Sequence, residues 1–193
     1  CIIIALLLPI TGSLRVHNGF YLILHTTIPH TMLSIIVAIS ENYAIGKAGD
    51  LLCHLPNDLK HFKELTTGAT VVMGKNTFFS LPRRPLPNRR NIVLTRDTAF
   101  AYDNTEIAHS IQELQNMLQT DEHVFIIGGG EVYRQFMPLV DELYITHIHH
   151  VWEDADTFFP TIDDTIWKCI QEEYHDPDEK HSYPYTFAKY AKR

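Results

Sequence analysis

Four sets of residues in this chain have the types and spacing that chemistry requires. The first is a single carboxylate, Asp58, in the run PNDLKHFKELT. Pro56 opens that run and suits a helix start, where its missing N–H is not needed. On the helix, Asp58 shares a stripe with Phe62 and Leu65 at i+4 and i+7, and Leu55 lies near the same side. A carboxylate on an apolar face is costly unless something hydrogen-bonds it. Its natural partner is a planar amidine-like group that donates two parallel N–H bonds. Position alone also allows an exposed helix-start Asp favoured by the helix dipole. The second set is VFIIGGG running straight into EVYRQF. Strand, Gly128-Gly129-Gly130, then helix lets backbone approach a phosphate and supplies N–H donors. Tyr133 stands where the last glycine of G-x-G-x-x-G would fall, and no G-K-[ST] is present, so a tight strand-to-helix turn is the other reading.

The third set is cationic. From Leu65 to Arg96 there is no acidic residue, yet the window holds Lys75, Arg83, Arg84, Arg89, Arg90 and Arg96. An acidic protein that segregates cations in this way is offering them to an anion, or carries a solvated basic face to which Arg83 and Arg84 belong. Lys75 follows TVVMG and Arg96 follows NIVLT, so both sit at carboxyl ends of predicted parallel strands, where open α/β sheets bind ligands. With the glycine turn they suit a ligand carrying several phosphates. The fourth set is His147, His149 and His150 in ITHIHH. The i,i+2 pair shares a strand face, but no carboxylate or cysteine stands in a metal-binding relation to it. These histidines read as strand surface or loop, and no metal is expected.

The elements that must position these groups follow from apolar runs and helix signals. Runs rich in Ile and Val predict buried strands over 33–39, 70–73, 91–95 and 123–127. Helices are predicted after Pro56, after the capping-box pattern Ser110-Ile-Gln-Glu113, and from Glu131 to Met137 before Pro138. Alternating strands and helices predict a mainly parallel sheet covered on both faces. ELYITHIHH, TIWKCIQEEY and YTFAKY read as three further strands. The last two are joined by HDPDEKHSYP into an antiparallel hairpin at the sheet edge.

Composition narrows the class. The chain has 193 residues, 45% hydrophobic and 20% charged, which excludes collagen-like and mostly disordered readings. Three scattered cysteines, Cys1, Cys53 and Cys169, make neither a disulfide framework nor a zinc site, and point to a reducing compartment, the cytoplasm. A net charge of −7 argues against a nucleic-acid binder. The opening CIIIALLLPI is too short to span a bilayer and lacks a basic region before it. Residues 1–31 carry one charge, Arg15, and no clear period before Met32 begins a clean strand. They are expected to be upstream sequence outside the fold, leaving one domain over 32–193 with 15 basic and 23 acidic residues.

In order, MLSIIVAISENYAIG, HLPNDLKHFKELT, TVVMGKNTFFSLP, RPLPNRRNIVLTR, VFIIGGGEVYRQF and LYITHI resemble the bacterial dihydrofolate reductase family, as do DADTFFP and the C-terminal hairpin. The resemblance covers essentially all of 32–193. It implies a mostly parallel eight-stranded sheet with flanking helices and a C-terminal antiparallel hairpin. It also implies hydride transfer from NADPH to C6 of 7,8-dihydrofolate, with a proton to N5, yielding tetrahydrofolate for one-carbon metabolism. Asp58 would hold the pterin N3 and 2-amino group, with a water as the direct proton donor. Leu59 and Phe62 would line the pterin and benzoyl site, Leu81 and Leu86 the opposite wall. Ile36 and Ile127 would offer carbonyls at the pterin edge, Thr146 would join the substrate site, and Arg89 would clamp the α-carboxylate of the glutamate tail.

For the cofactor, the resemblance assigns Lys75, Thr95 and Arg96 to the adenosine 2′-phosphate. Gly74, Thr77 and the turn Gly128, Gly129, Gly130, Glu131, Val132 and Tyr133 would hold the pyrophosphate. Ala38, Ile45 and Gly46 would sit by the nicotinamide. A cis bond is expected between Gly128 and Gly129. Residues 44–55, including Leu51, match a mobile loop that Asp156 helps hold closed. One departure stands out: the family pattern has tryptophan where this chain has Cys53. Cysteine is smaller and a weaker donor, which implies a wetter site and slower hydride transfer, or a binding module whose catalysis is weak or lost. No membrane contact is expected, and the family default is a monomer.

Overall fold

The computed structural model describes residues 31–193. The expectation that the first thirty-one residues stand outside the fold falls almost wholly on residues 1–30, outside the described residues. Among the described residues ten strands are present: β1 (Met32–Ser40), β2 (Ala44–Gly46), β3 (Thr70–Gly74), β4 (Arg90–Leu94), β5 (Glu106–Ala108), β6 (His123–Ile126), β7 (Glu142–Ile148), β8 (Thr157–Phe158), β9 (Trp167–His175) and β10 (Tyr185–Lys192). Four helices connect them: α1 (Pro56–Thr66), α2 (Lys75–Ser80), α3 (Ile111–Met117) and α4 (Gly130–Phe136).

Eight strands form one sheet in the order β5-β4-β3-β6-β1-β7-β10-β9. The pairs from β5 to β7 are parallel, and β10 joins β7 and β9 antiparallel. The eight-stranded α/β expectation and its C-terminal hairpin both hold. β5, α2 and the small β2–β8 ribbon were not among the predicted elements. Each is six residues or fewer, too short for a period to show.

Alternation along the central strands feeds two cores. Ile35 and Ile39 of β1, Val72 of β3, Ile92 of β4 and Ile126 of β6 face α3 and α4, packing with Leu114, Val132 and Phe136. Ile36, Val71, Met73, Val93 and Phe125 face the other way, against Phe62 and Leu65 of α1 and Phe78 of α2. Both faces of the sheet are therefore buried, as parallel strands require. The Ser110 cap forms as expected, its hydroxyl accepting the Glu113 N–H at 3.1 Å, but the Glu113 carboxylate accepts from His109 N–H at 2.7 Å, one residue before the N-cap, rather than from Ser110 itself.

Candidate active site

The sheet splits at the point where strand order reverses. β1 pairs with β6 only as far as Ile35↔Ile126, but stays paired with β7 as far as Ser40↔Ile148. Beyond Ile126 the β6 chain leans toward β3: Ile127 N–H bonds Val72 O at 2.9 Å, and Gly74 N–H bonds Gly128 O at 2.7 Å. The gap opens at the carboxyl ends of β1 and β6, where open α/β sheets hold ligands. Tyr133 fills its floor. The ring is 4% exposed, and its hydroxyl donates to Ile36 O at 3.0 Å.

Asp58 enters this gap from the first turn of α1. It is partly buried, and its Oδ1 accepts the Thr146 hydroxyl of β7 at 2.6 Å. Burial raises its pKa above the usual carboxylate range, while the Thr146 bond and nearby His61 pull the other way. The exposed helix-start alternative for Asp58 does not hold. The surrounding pocket is lined by Ala38, Ile45, Leu51, Leu52, Cys53, His54, Leu55, Asp58, Leu59 and Ile148. Five predicted substrate residues gather on the adjoining core: Ile36 and Ile127 within it, with Phe62, Leu81 and Leu86 packed against it. Leu52, His54 and Ile148 were not singled out in the sequence. Leu52 and His54 flank Cys53 in the chain, and Ile148 ends β7.

Cys53 lies on the pocket wall, half-buried. Burial, then the charge of Asp58, push its thiol up to about 11, so it stays protonated at neutral pH. Behind it, Leu55, Ile148 and Tyr185 form a small core that Trp152 and Tyr183 also join. The loop ahead of it is pinned by the segment leading into β8: Asp156 accepts Ala48 N–H at 2.7 Å and donates its own N–H to Gly46 O at 3.3 Å. Lys47 pairs with Asp154 alongside. Gly46 has to be glycine, because a Cβ there would lie 2.9 Å from Asp50 O.

Arg89 stands at the far end of the cleft. Its Nε donates to Thr66 Oγ1 at 2.8 Å, its Nη1 to Pro87 O at 2.8 Å, and its guanidinium lies 5.7 Å from the Phe62 ring. The loop that carries it is held by buried Asn91, which accepts Leu86 N–H and donates to Leu86 O and Arg89 O. Asn91 was invisible in the sequence, because its role depends on a loop that closes back on itself.

At the other end of the gap, the starts of α2 and α4 face each other across the ends of β3 and β6. A Cβ on Gly129 would lie 3.1 Å from Thr77 Oγ1, and one on Gly130 would lie 3.2 Å from Thr157 Cγ2. The Gly128–Gly129 peptide is cis, and Gly128 has φ +116°. Free N–H groups at helix starts favour anions, and exposed Arg96 lies within electrostatic reach of Glu131 on α4. These residues fit a phosphate-bearing cofactor.

Three expectations about charge and donors need correction. Lys75 is not an unpaired cation, since it meets Asp97 at 2.6 Å; the acid-free window ends one residue too early to show this. Arg90 is structural, bridging Glu106 at 2.7 Å and Asp121 at 2.5 Å. Tyr133 gives no N–H to a phosphate: its N–H goes to Gly129 O at 3.0 Å and its ring lies under Ile36. The three histidines are satisfied locally. His147 meets Tyr190, His149 meets Thr186, and His150 stacks on Tyr183. Among the described residues no group of three or more His, Cys, Asp or Glu is placed to hold a metal. None of the described helices is long and apolar enough to cross a membrane.

A sheet split at its strand-order reversal, with a carboxylate pocket on one side and a glycine turn on the other, defines an α/β protein whose cleft fits a flat ring and a phosphate-bearing group side by side. The comparisons with known proteins specify the family. The dihydrofolate reductase family model matches residues 32–192. Dihydrofolate reductase of Bacillus subtilis is 41% identical over 162 residues, covering 84% of this chain and 95% of the relative. That of Staphylococcus aureus is 44% identical over 155 residues, covering 80% and 94%. Among solved structures, dihydrofolate reductase from Enterococcus faecalis complexed with NADP(H) and RAB-propyl superposes with a TM-score of 0.78 at 40% identity, covering 84% of this chain and 96% of that one. The chain belongs to the dihydrofolate reductase family.

Proposed function

We propose that residues 32–193 reduce 7,8-dihydrofolate to tetrahydrofolate with NADPH, as a cytoplasmic monomer that binds neither nucleic acid nor membrane. The observation that carries this reading is Asp58: a partly buried carboxylate with one oxygen on Thr146 and the other side toward an apolar pocket. Such a group matches a flat ring presenting N–H donors side by side. Asp58 holds the pterin and fixes the field around N5, and a water delivers the proton. Ile36 and Ile127 edge the ring, Leu59, Phe62, Leu81 and Leu86 flank it and the benzoyl group, and Arg89 takes the glutamate carboxylate. NADPH supplies the hydride when bound. Thr95, Arg96 and Lys75, the last shared with Asp97, hold its 2′-phosphate; Gly74, Thr77 and the Gly128–Val132 turn hold its pyrophosphate; Ala38, Ile45 and Gly46 border its nicotinamide. The binding-module alternative is not favoured, since the relatives are named reductases and align over nearly their full length.

The test is absorbance at 340 nm. Loss of signal that requires both NADPH and dihydrofolate supports the reading, and binding of both without turnover refutes it. The rate should fall as pH rises, because N5 must gain a proton; a flat profile would contradict the protonation step. Cys53→Trp should raise kcat/KM. Cys53 lines the pocket and also packs against the Leu55–Ile148–Tyr185 core, and an indole there supplies an N–H donor near Asp58 that a thiol replaces poorly. An unchanged or lower kcat/KM would contradict this.

A further inference from the structure

Helix α1 begins without a cap of its own. Leu55 at the N-cap offers no side-chain acceptor, and Pro56 has no N–H, so Asn57 is the first helical residue whose N–H needs a partner. The partner lies 124 positions along the chain: Asn57 N–H donates to His181 Nε2 at 3.1 Å. The Asn57 amide also donates to the Tyr185 hydroxyl at 2.8 Å. His181 is 2% exposed and Tyr185 1%, so both acceptors are enclosed.

The neighbours settle the tautomer of His181. A backbone N–H can only donate, so Nε2 presents its lone pair. Nδ1 lies 2.7 Å from Asp178 Oδ1, which only accepts, so Nδ1 carries the proton. Asp178 is itself oriented by the N–H groups of Lys180 and His181, both on the same oxygen. None of these residues lines the pocket itself, yet the chain of contacts ends one residue before Asp58.

We infer that His181 is a positioning residue for Asp58: a neutral imidazole, locked in one tautomer by Asp178, caps α1 from the C-terminal hairpin and sets where the carboxylate stands. This rests on the reading of Asp58 given above. Two anchors from different strands then locate the carboxylate. Thr146 on β7 holds its oxygen, and His181 ahead of β10 holds the preceding peptide. A lost cap frays the first turn, where Asp58 lies. The glycine turn and Arg96 stand on other strand ends and are not disturbed.

The test compares His181→Leu with His181→Gln by steady-state kinetics. Glutamine keeps an acceptor for Asn57 N–H and a donor for Asp178; leucine keeps neither. The leucine variant should raise KM for dihydrofolate about fivefold, the ratio typical of a lost cap, and lower kcat, with KM for NADPH unchanged. Glutamine should restore most of both. Asp178→Ala, at an exposed residue, should act in the same direction by a smaller factor and decides the matter if the leucine variant does not fold. Wild-type dihydrofolate parameters in these variants would overturn the inference. So would an equal rise in both KM values that glutamine fails to reverse. A separate arm protects the distinction: if Asp58→Asn turns over like the wild type, the reading of Asp58 itself has failed, with His181 untouched.

Discussion

Asp58→Asn should lose roughly 10²–10³-fold in kcat, the cost of removing one preorganised charge from a reacting centre, while melting at a higher temperature. The two effects share one cause. Burial raises the Asp58 pKa, so the folded protein binds that proton more tightly than the unfolded chain does. Its contribution to stability is fully present below the unfolded carboxylate range and is lost as pH rises through the folded value. Where the carboxylate is ionised it is therefore a net cost, which asparagine removes while still accepting the Thr146 hydroxyl. A gain of about 1 kcal/mol corresponds to roughly 2–4 °C for a chain of this size. The difference in melting temperature should grow as pH rises and shrink on acidification. Thermal melts of both proteins across that range check it. A variant that is equally active, or less stable at neutral pH, would remove Asp58 from its role.

Arg89→Lys should raise KM for dihydrofolate by roughly 10–100-fold, the range expected when one charge-assisted hydrogen bond to a carboxylate is lost. Three features aim this guanidinium: Thr66, the Pro87 carbonyl and the Phe62 ring. Lysine keeps the charge but has neither the planar fork nor the reach to hold those contacts at once. The effect should be confined to the substrate tail. KM for NADPH should not change, and a dihydropterin lacking the glutamate should be reduced equally by both proteins. A penalty that persists on the tail-less substrate would place Arg89 elsewhere.

The residues that sequence reasoning found share a feature, as do those it missed. Asp58 was legible because a charge on a helical apolar stripe demands a partner; its partner, Thr146, lies 88 positions away and only the β1–β7 register brings it near. The central strands were legible because both faces are buried, which leaves uninterrupted Ile and Val runs. β5 and β8 were not, since three and two residues carry no pattern. Cation segregation overcounted, because Arg90 finds Glu106 and Asp121 across a crossover. Asn91 and His181 escaped notice for the same reason: buried polar groups are identified by what they satisfy, and that is decided only when the chain has folded.

The most direct measurement is a crystal structure of the chain with folate and NADP⁺ bound. The account predicts both Asp58 oxygens turned to the ring, one within hydrogen-bond distance of N3 and the other of the 2-amino group, with Thr146 still donating. A ring bound elsewhere, or Asp58 facing solvent beside a fully occupied site, would contradict it.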